Sequence, residues 1–357
     1  MLTDVWETLR RSPLPCVLYG MGDGGDKLIA QCEKRGIAVS GVFASDGFVR
    51  GQSFHGFRVT DYAGAKERFG RMNVLLAFAT DLDPVMANID RIDAEMPLYA
   101  PDLPVAGETV FDAAFYEEHR TEHEAARALF SDPASLDLFD RIVNYRLTGK
   151  LSYLRPDRSP EGAWEGLPDP TSFRTAIDLG AYTGDTAKIL ASRAPALEKL
   201  ICVEPDPKTC GKLAVNTASL PVVPVNAAAW SGAGEMTFSR GGSRSSRLGV
   251  GKGKTVTVRT LRPDSLLAEG ERCDFIKYDV EGAEYEAILG SERFIREGTA
   301  LYAALYHRPE DLFRLPLLIA GMNPEYVFRL VRAKYYPAWE LNLVAVKRIV
   351  SKTESLS

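Results

Sequence analysis

The residues best placed to do chemistry lie in the second half of the chain, each just after a short apolar run. Asp178 sits at the end of Ala176-Ile177-Asp178-Leu179 and is followed by the turn Gly180-Ala181-Tyr182-Thr183-Gly184, then Asp185-Thr186. This is the order strand, acid, glycine turn, helix, which holds a nucleoside-bearing ligand against backbone. A dinucleotide turn wants glycine at the second position of GxGxxG, so that a pyrophosphate can approach the main chain. Here that position is Tyr182. A bulky side chain disfavours a phosphate but suits a ligand that lays a sugar and an amino-acid tail over the loop, and Asp178 could receive that tail's ammonium group or its water.

About 20 residues further on, the next apolar run ends in Val203-Glu204-Pro205-Asp206, where an acid accepts hydrogen bonds from ribose hydroxyls. The next closes on Asn226-Ala227-Ala228, small residues that leave a flat slot for an adenine edge. A fourth closes on Lys277-Tyr278-Asp279-Val280-Glu281-Gly282-Ala283-Glu284. Carboxylates there would face the reacting centre, with Glu284 the most structural of the three. His307 follows a fifth apolar run beside Arg308 and Glu310, where a base or a substrate anchor is useful. Together these features fit S-adenosylmethionine better than a nicotinamide cofactor. The chemistry they suit is methyl transfer to a hydroxyl held in line with the methyl, with Asp279, Glu281 and His307 as the catalytic candidates. A divalent metal could help ionise the acceptor, but no ligand set in the sequence is specific enough to claim one.

The positioning elements are legible in the same way. Strand-like runs at 200–203, 222–225, 274–278, 300–306, 326–331 and 341–347 alternate with helical patterns. Such alternation predicts a parallel doubly wound sheet whose ligand lies beyond the carboxyl ends of its strands. A separate α/β unit opens the chain. Cys16-Val17-Leu18-Tyr19 feeds a second glycine turn, Gly20 to Gly25, then a helix over 26–34, a strand over 38–43 and another apolar run over 74–79. This turn does satisfy GxGxxG, with Asp46 at the ribose distance, yet Asp23 and Asp26 put negative charge where a pyrophosphate would sit. It reads as a structural or substrate-presenting domain rather than a dinucleotide site.

From these patterns we expect a Rossmann-like N-terminal domain over 1–105 and a helical bridge with a Pro/Gly-rich linker over 106–172. A second α/β domain would occupy 173–350, and 351–357 would be a tail. The stretch from Thr175 to about Lys347 resembles the FkbM-type family of S-adenosylmethionine-dependent methyltransferases, through DLGAYTGDT (178–186), VEPDP (203–207), KYDVEGAE (277–284) and YHRPEDL (306–312). The resemblance implies a class I methyltransferase fold and O-methylation of sugars or natural products. It puts Asp178, Gly180, Glu204 and Asp279 on the cofactor side, and Glu281 and His307 toward the acceptor. The family pattern does not require the N-terminal half.

Composition narrows the partners. The formal net charge of −5 opposes nucleic acid as the main partner, and no apolar run reaches the roughly 18 to 20 residues that span a bilayer. Five cysteines without a CxxC pair read as reduced, buried thiols, which fits a cytoplasmic protein. The expected acceptor is a small molecule or saccharide. It could be anionic, because Arg240, Arg244, Arg247, Lys252 and Lys254 stud the glycine- and serine-rich stretch 239–254. If that stretch is a gripping lid, replacing Arg244 and Arg247 with alanine raises the Michaelis constant for a charged acceptor. A homodimer is compatible with all of this. The competing readings are a nicotinamide-dependent oxidoreductase acting through Gly20 to Gly25 and a non-catalytic ligand-binding protein.

Overall fold

The computed structural model describes residues 2–155, 167, 169–239, 247–248 and 255–348. Its N-terminal part is a four-stranded parallel sheet of β1 (Cys16–Tyr19), β2 (Val39–Phe43), β5 (Asn73–Leu76) and β6 (Leu98–Tyr99) in the order β2-β1-β5-β6. The short hairpin β3 (Ser53–Phe54) and β4 (Phe57–Arg58) lies beside it. β1 and β5 are buried along their whole length, which is why they read as unbroken apolar runs. The helix after β1 spans Asp23–Lys34, three residues longer at its start than the sequence suggests.

The C-terminal sheet has seven strands: β7 (Thr175–Leu179), β8 (Lys199–Val203), β9 (Val222–Val225), β14 (Phe275–Tyr278), β15 (Ala300–Ala304), β16 (Tyr326–Arg332) and β17 (Leu341–Lys347). Their order is β16-β17-β15-β14-β7-β8-β9, so the chain reverses direction across the sheet between β7 and β14. The expected all-parallel sheet needs one correction: β17 runs antiparallel to both β15 and β16. Only eight residues separate β16 from β17, fewer than a helical crossover needs, so the two must form a hairpin. This is the class I methyltransferase arrangement.

A second departure lies between the third and fourth strands of that sheet. There β10 (Ala228–Ala229), β11 (Gly234–Ser239), β12 (Arg247–Leu248) and β13 (Thr255–Leu261) make a small separate sheet, mostly antiparallel. The alternation in Thr255-Val256-Thr257-Val258 was the available signal. The remaining residues of the basic stretch 239–254, and most of the Pro/Gly-rich stretch, lie outside the described residues.

Helices over Ala113–Glu118, Arg120–Arg127 and Pro133–Thr148 form the bridge. Asp112 and Asp132 cap the first and last by accepting the amide protons of Phe115 and Ser135. One apolar cluster runs from Val17 and Leu76 through Phe139 and Ile142 to Ile276 and Leu301, joining both sheets. Within it Arg146, 2% exposed, donates to the carbonyls of Leu305 and Pro309 at 3.0 and 3.1 Å and pairs with Asp102 at 3.3 Å. It thereby anchors the loop that carries His307.

Candidate active site

The carboxyl ends of both sheets open onto one cleft of about 1580 Å³. One wall holds Gly180, Tyr182, Glu204, Ala227, Asp279, Glu281 and His307; the other holds Met21, Asp23, Gly24, Phe78, Asp81 and Leu103 of the N-terminal part. Most of the residues singled out from sequence therefore converge on one surface.

The glycine turn is built by close packing. Gly180 has φ +84°, and a Cβ there would lie 1.8 Å from the carbonyl oxygen of Asp279, so only glycine lets the loops after β7 and β14 touch. Tyr182 also adopts positive φ, at 46°, which turns its amide onto Glu204 Oε2 at 3.0 Å. The amide of Asp206 donates to Glu204 Oε1 at 2.9 Å. Burial pushes the Glu204 carboxyl up to about 7, against the opposing pull of those two amides. It lines the cleft as a carboxylate poised near neutral pH.

Some expected cofactor residues stand elsewhere. Asp178 is 1% exposed and does not reach the cleft; Lys277 Nζ lies 3.7 Å from Asp178 Oδ1 and 2.9 Å from Asp279 Oδ2. Burial raises the Asp178 carboxyl even so. A direct contact with a ligand's ammonium is thus replaced by one with Lys277, the cation two residues before Asp279. Thr183 and Gly184 turn away from the cleft: Asn216 donates to the Thr183 carbonyl at 2.9 Å, and Gly184 packs on Thr217 and Leu213. Asn226 clasps the carbonyls of Glu204 and Pro205 at 2.8 and 3.0 Å, so it shapes the loop while Ala227 and Ala228 form the surface.

At the far end of the same wall the acids gather on His307, which is 1% exposed. Its Nδ1 donates to Glu284 Oε1 at 2.8 Å, and its Nε2 faces Asp279 Oδ1 at 3.6 Å and Glu281 Oε2 at 3.8 Å. Burial disfavours the imidazolium, but Glu284, then Glu281 and Asp279, push His307 up to about 10. As the cluster stands, His307 holds a proton rather than taking one, which corrects its reading as a ready base. Burial likewise opposes ionisation of Asp279, yet Lys277 and His307 keep that carboxyl below the usual range. Glu284, completely buried, accepts the amides of Val280 and Gly282 at 2.8 and 3.0 Å and has the structural part expected of it.

Sequence reasoning missed the third side of the cleft. The β16–β17 connection contributes Lys334, Tyr335, Pro337, Trp339 and Glu340. Trp339 stacks between Tyr335 and Tyr306 at centroid distances of 5.7 and 6.5 Å. Tyr336 exchanges backbone hydrogen bonds with Thr80 at 2.7 and 2.9 Å, and Lys334 pairs with Asp83, fastening this loop to the N-terminal part. Among the described residues, four other than glycine have positive φ, and three of them, Tyr182, Glu281 and Glu340, line the cleft. Strained backbone gathers where side chains are aimed at a ligand.

Residues 178–311 match the family described as Methyltransferase FkbM domain. The chain carries an FkbM methyltransferase domain. A crystal structure of methyltransferase FkbM from Methylobacillus flagellatus KT covers 96% of this chain and 92% of its own, with a TM-score of 0.71 at 20% identity. That likeness is one of fold, and it extends through the N-terminal sheet. Aeropyrum pernix fibrillarin, in complex with natively bound S-adenosyl-L-methionine, covers 52% of this chain and 72% of its own at 14% identity and a TM-score of 0.34. An rRNA methylase from Streptococcus thermophilus covers 54% and 98% at 12% identity, with a TM-score of 0.34. No curated protein matches the chain. The FkbM domain makes this protein an S-adenosylmethionine-dependent methyltransferase.

Proposed function

We propose that the enzyme methylates a hydroxyl of a neutral, hydroxyl-rich small molecule such as a sugar or glycan. The observation that carries the reading is the two-sided cleft. The FkbM loops offer Gly180, Tyr182, Glu204 and Ala227 on one side, and the aromatic and carboxylate groups Trp339, Tyr306, Glu340, Asp279 and Glu281 stand opposite the N-terminal wall. Small residues and a buried carboxylate at the end of β8 fit a nucleoside, whose ribose hydroxyls Glu204 would accept. S-adenosylmethionine, once bound, supplies the methyl group on a sulfonium.

The protein's part is orientation and charge. Aromatic faces such as Trp339 suit the apolar face of a sugar ring, while carboxylates accept its hydroxyls. Asp279, kept ionised by Lys277, and Glu281 are the groups placed to take an acceptor proton; the imidazolium of His307 holds both in place. Acids outnumber bases on the described cleft surface, which favours a neutral acceptor over the anionic one suggested by the basic stretch. The same balance speaks against a nucleic-acid substrate.

The competing oxidoreductase reading is opposed by charge at the first turn. Two of the three motif glycines are explained by packing, since a Cβ at Gly20 would lie 2.5 Å from the Phe78 ring and one at Gly25 2.9 Å from the Phe54 ring, while Gly22 takes φ +80° with nothing within 4 Å. Asp23 lines the cleft at that helix start, where a pyrophosphate would meet its charge. A cytoplasmic setting agrees with five free, buried cysteines. Among the described residues no helix is long and apolar enough to cross a membrane. A screen of neutral sugars and glycans with isotope-labelled cofactor, read by mass spectrometry, tests the acceptor class. Label appearing only on carboxylates or amines would refute it.

Glu204 gives a sharper test of the cofactor side. Its carboxyl sits near 7, and the anion is the better acceptor for a ribose hydroxyl, so affinity for S-adenosylmethionine should rise with pH through about 7 and then level off. Glu204→Gln should weaken binding roughly 10- to 100-fold, the worth of a charge-assisted hydrogen bond, and flatten that pH profile. Titration calorimetry at pH 6 and pH 8 measures both. Equal affinity at the two values in the wild type would remove Glu204 from the ribose.

A further inference from the structure

Five lysines line the cleft among the described residues, and their surroundings differ. Lys27 donates to the Pro104 carbonyl at 2.8 Å and Lys334 pairs with Asp83, so both are engaged with the N-terminal part. Lys208 and Lys212 lie on the helix Pro207–Asn216, beyond Glu204. Lys277 alone stands in a strand, opposite Asp178 in the pairing of β14 with β7 and so beside the start of the Gly180 turn. It is 8% exposed yet lines the cleft. An ammonium carries three donors. Among the described residues one is spent at hydrogen-bonding distance, on Asp279 Oδ2 at 2.9 Å. Asp178 Oδ1, at 3.7 Å, is too far to accept one, and both Asp178 oxygens are buried without a hydrogen bond. Charge on Asp279, Asp178 and Glu340 therefore holds Lys277 in place, and donors are left for a further anion.

S-adenosylmethionine has a single anionic group, the α-carboxylate of its amino-acid tail. Asp279, Glu281 and Glu340 on the same wall attract the sulfonium and the ammonium but repel that carboxylate, so it must stand at a cation. With the base against Ala227 and the ribose on Glu204 at the end of β8, the tail runs the other way, over the Gly180 turn after β7 and toward β14. Neighbouring strands are about 4.8 Å apart, and an aminobutyrate chain on sulfur is long enough to cross from β8 over β7 to β14. We propose that Lys277 Nζ binds the α-carboxylate of S-adenosylmethionine, which makes the Lys277–Asp178 pair the receptor for the cofactor's amino-acid end. The assignment rests on the reading of Glu204 as the ribose acceptor, since that sets the direction of the tail. Asp178, out of reach of the cleft, then acts from behind by fixing the ammonium of Lys277.

Calorimetry on the full chain compares S-adenosylmethionine with its decarboxylated form, which keeps the sulfonium and the ammonium, and with 5′-methylthioadenosine, which keeps only the nucleoside and its sulfur. The wild type should bind the decarboxylated form roughly 10- to 100-fold more weakly than S-adenosylmethionine, the worth of a charge-assisted hydrogen bond. Lys277→Met should abolish that preference and leave the affinity for 5′-methylthioadenosine unchanged. Because this change strands Asp178 in the core, the double variant Asp178→Asn, Lys277→Met is measured alongside, with near-ultraviolet circular dichroism to check folding. Equal affinity for S-adenosylmethionine and its decarboxylated form in the wild type overturns the proposal, and that comparison needs no variant. A preference that survives in either folded variant overturns it too, as does an equal loss of all three ligands in the double variant, which would make Lys277 structural. Failure of the Glu204 reading looks different: Glu204→Gln would then leave binding of 5′-methylthioadenosine intact.

Discussion

Replacing His307 with asparagine is expected to lower turnover roughly 10²- to 10⁴-fold, the usual worth of a positioned proton-transfer or charge-stabilising group, while affinity for S-adenosylmethionine stays unchanged. Asparagine can keep a donor on Glu284 but loses the Nε2 that faces Asp279 and Glu281. Alanine is the harsher change. It leaves the completely buried Glu284 without its partner, a kind of loss that costs about 3 to 5 kcal/mol. The two variants therefore separate the chemical part of His307 from the structural one. Single-turnover rates with saturating cofactor measure the first and thermal melts the second. Wild-type turnover in the asparagine variant would remove His307 from catalysis.

The same residue predicts a pH dependence whose sign is fixed. An imidazole with a raised folded pKa stabilises the fold fully below its ordinary value of about 6.5, and that stabilisation is lost as pH climbs through about 10. Chelator-treated protein should melt at progressively lower temperature over that window. His307→Asn should show a flatter profile, and parallel profiles would mean that the imidazole titrates normally.

Gly180→Ala should be the most damaging added methyl among the described glycines. The added carbon would meet the Asp279 carbonyl oxygen at 1.8 Å and its carbon at 2.7 Å, and the φ of +84° is one that alanine resists. Neither backbone can retreat without parting β7 from β14, paired in the middle of the sheet. A cost of about 3 kcal/mol or more follows, a fall of roughly 6 to 12 °C in melting temperature, with cofactor binding lost in parallel. Gly211→Ala is the control. It lies in the helix Pro207–Asn216 with nothing within 4 Å of its new methyl, and should be neutral or stabilising by up to about 1 kcal/mol. Equal melting temperatures for the two variants would refute the packing argument.

What could be read from sequence divides along physical lines. Strands buried on both faces announce themselves, so β1, β7, β8 and β14 were legible, and with them the turns that carry Gly180, Glu204 and Asp279. The direction of β17 was hidden in a connection length rather than in any residue type. Asp178 and Asn226 carried the right chemistry at the right spacing, yet side-chain direction is a tertiary property: Asp178 is buried beside Lys277 of β14, and Asn226 turned to hold the loop after β8. The aromatic side of the cleft was illegible because Tyr335 and Trp339 are 51 or more residues from His307's partners at 279–284 and belong to no strand or helix. Only folding brings them together. The imidazolium of His307 was likewise invisible, since it depends on three carboxylates from a different loop.

The fastening of the β16–β17 connection to Thr80 and Asp83 has a bearing on how such enzymes can be re-engineered. A loop tied to a neighbouring sheet by a pair of main-chain bonds and an ion pair cannot be transplanted alone, because its shape is dictated by the strip it is laced to. Swapping acceptor preference between two proteins of this build would mean exchanging 77–83 together with 333–340 as one interlocked cassette.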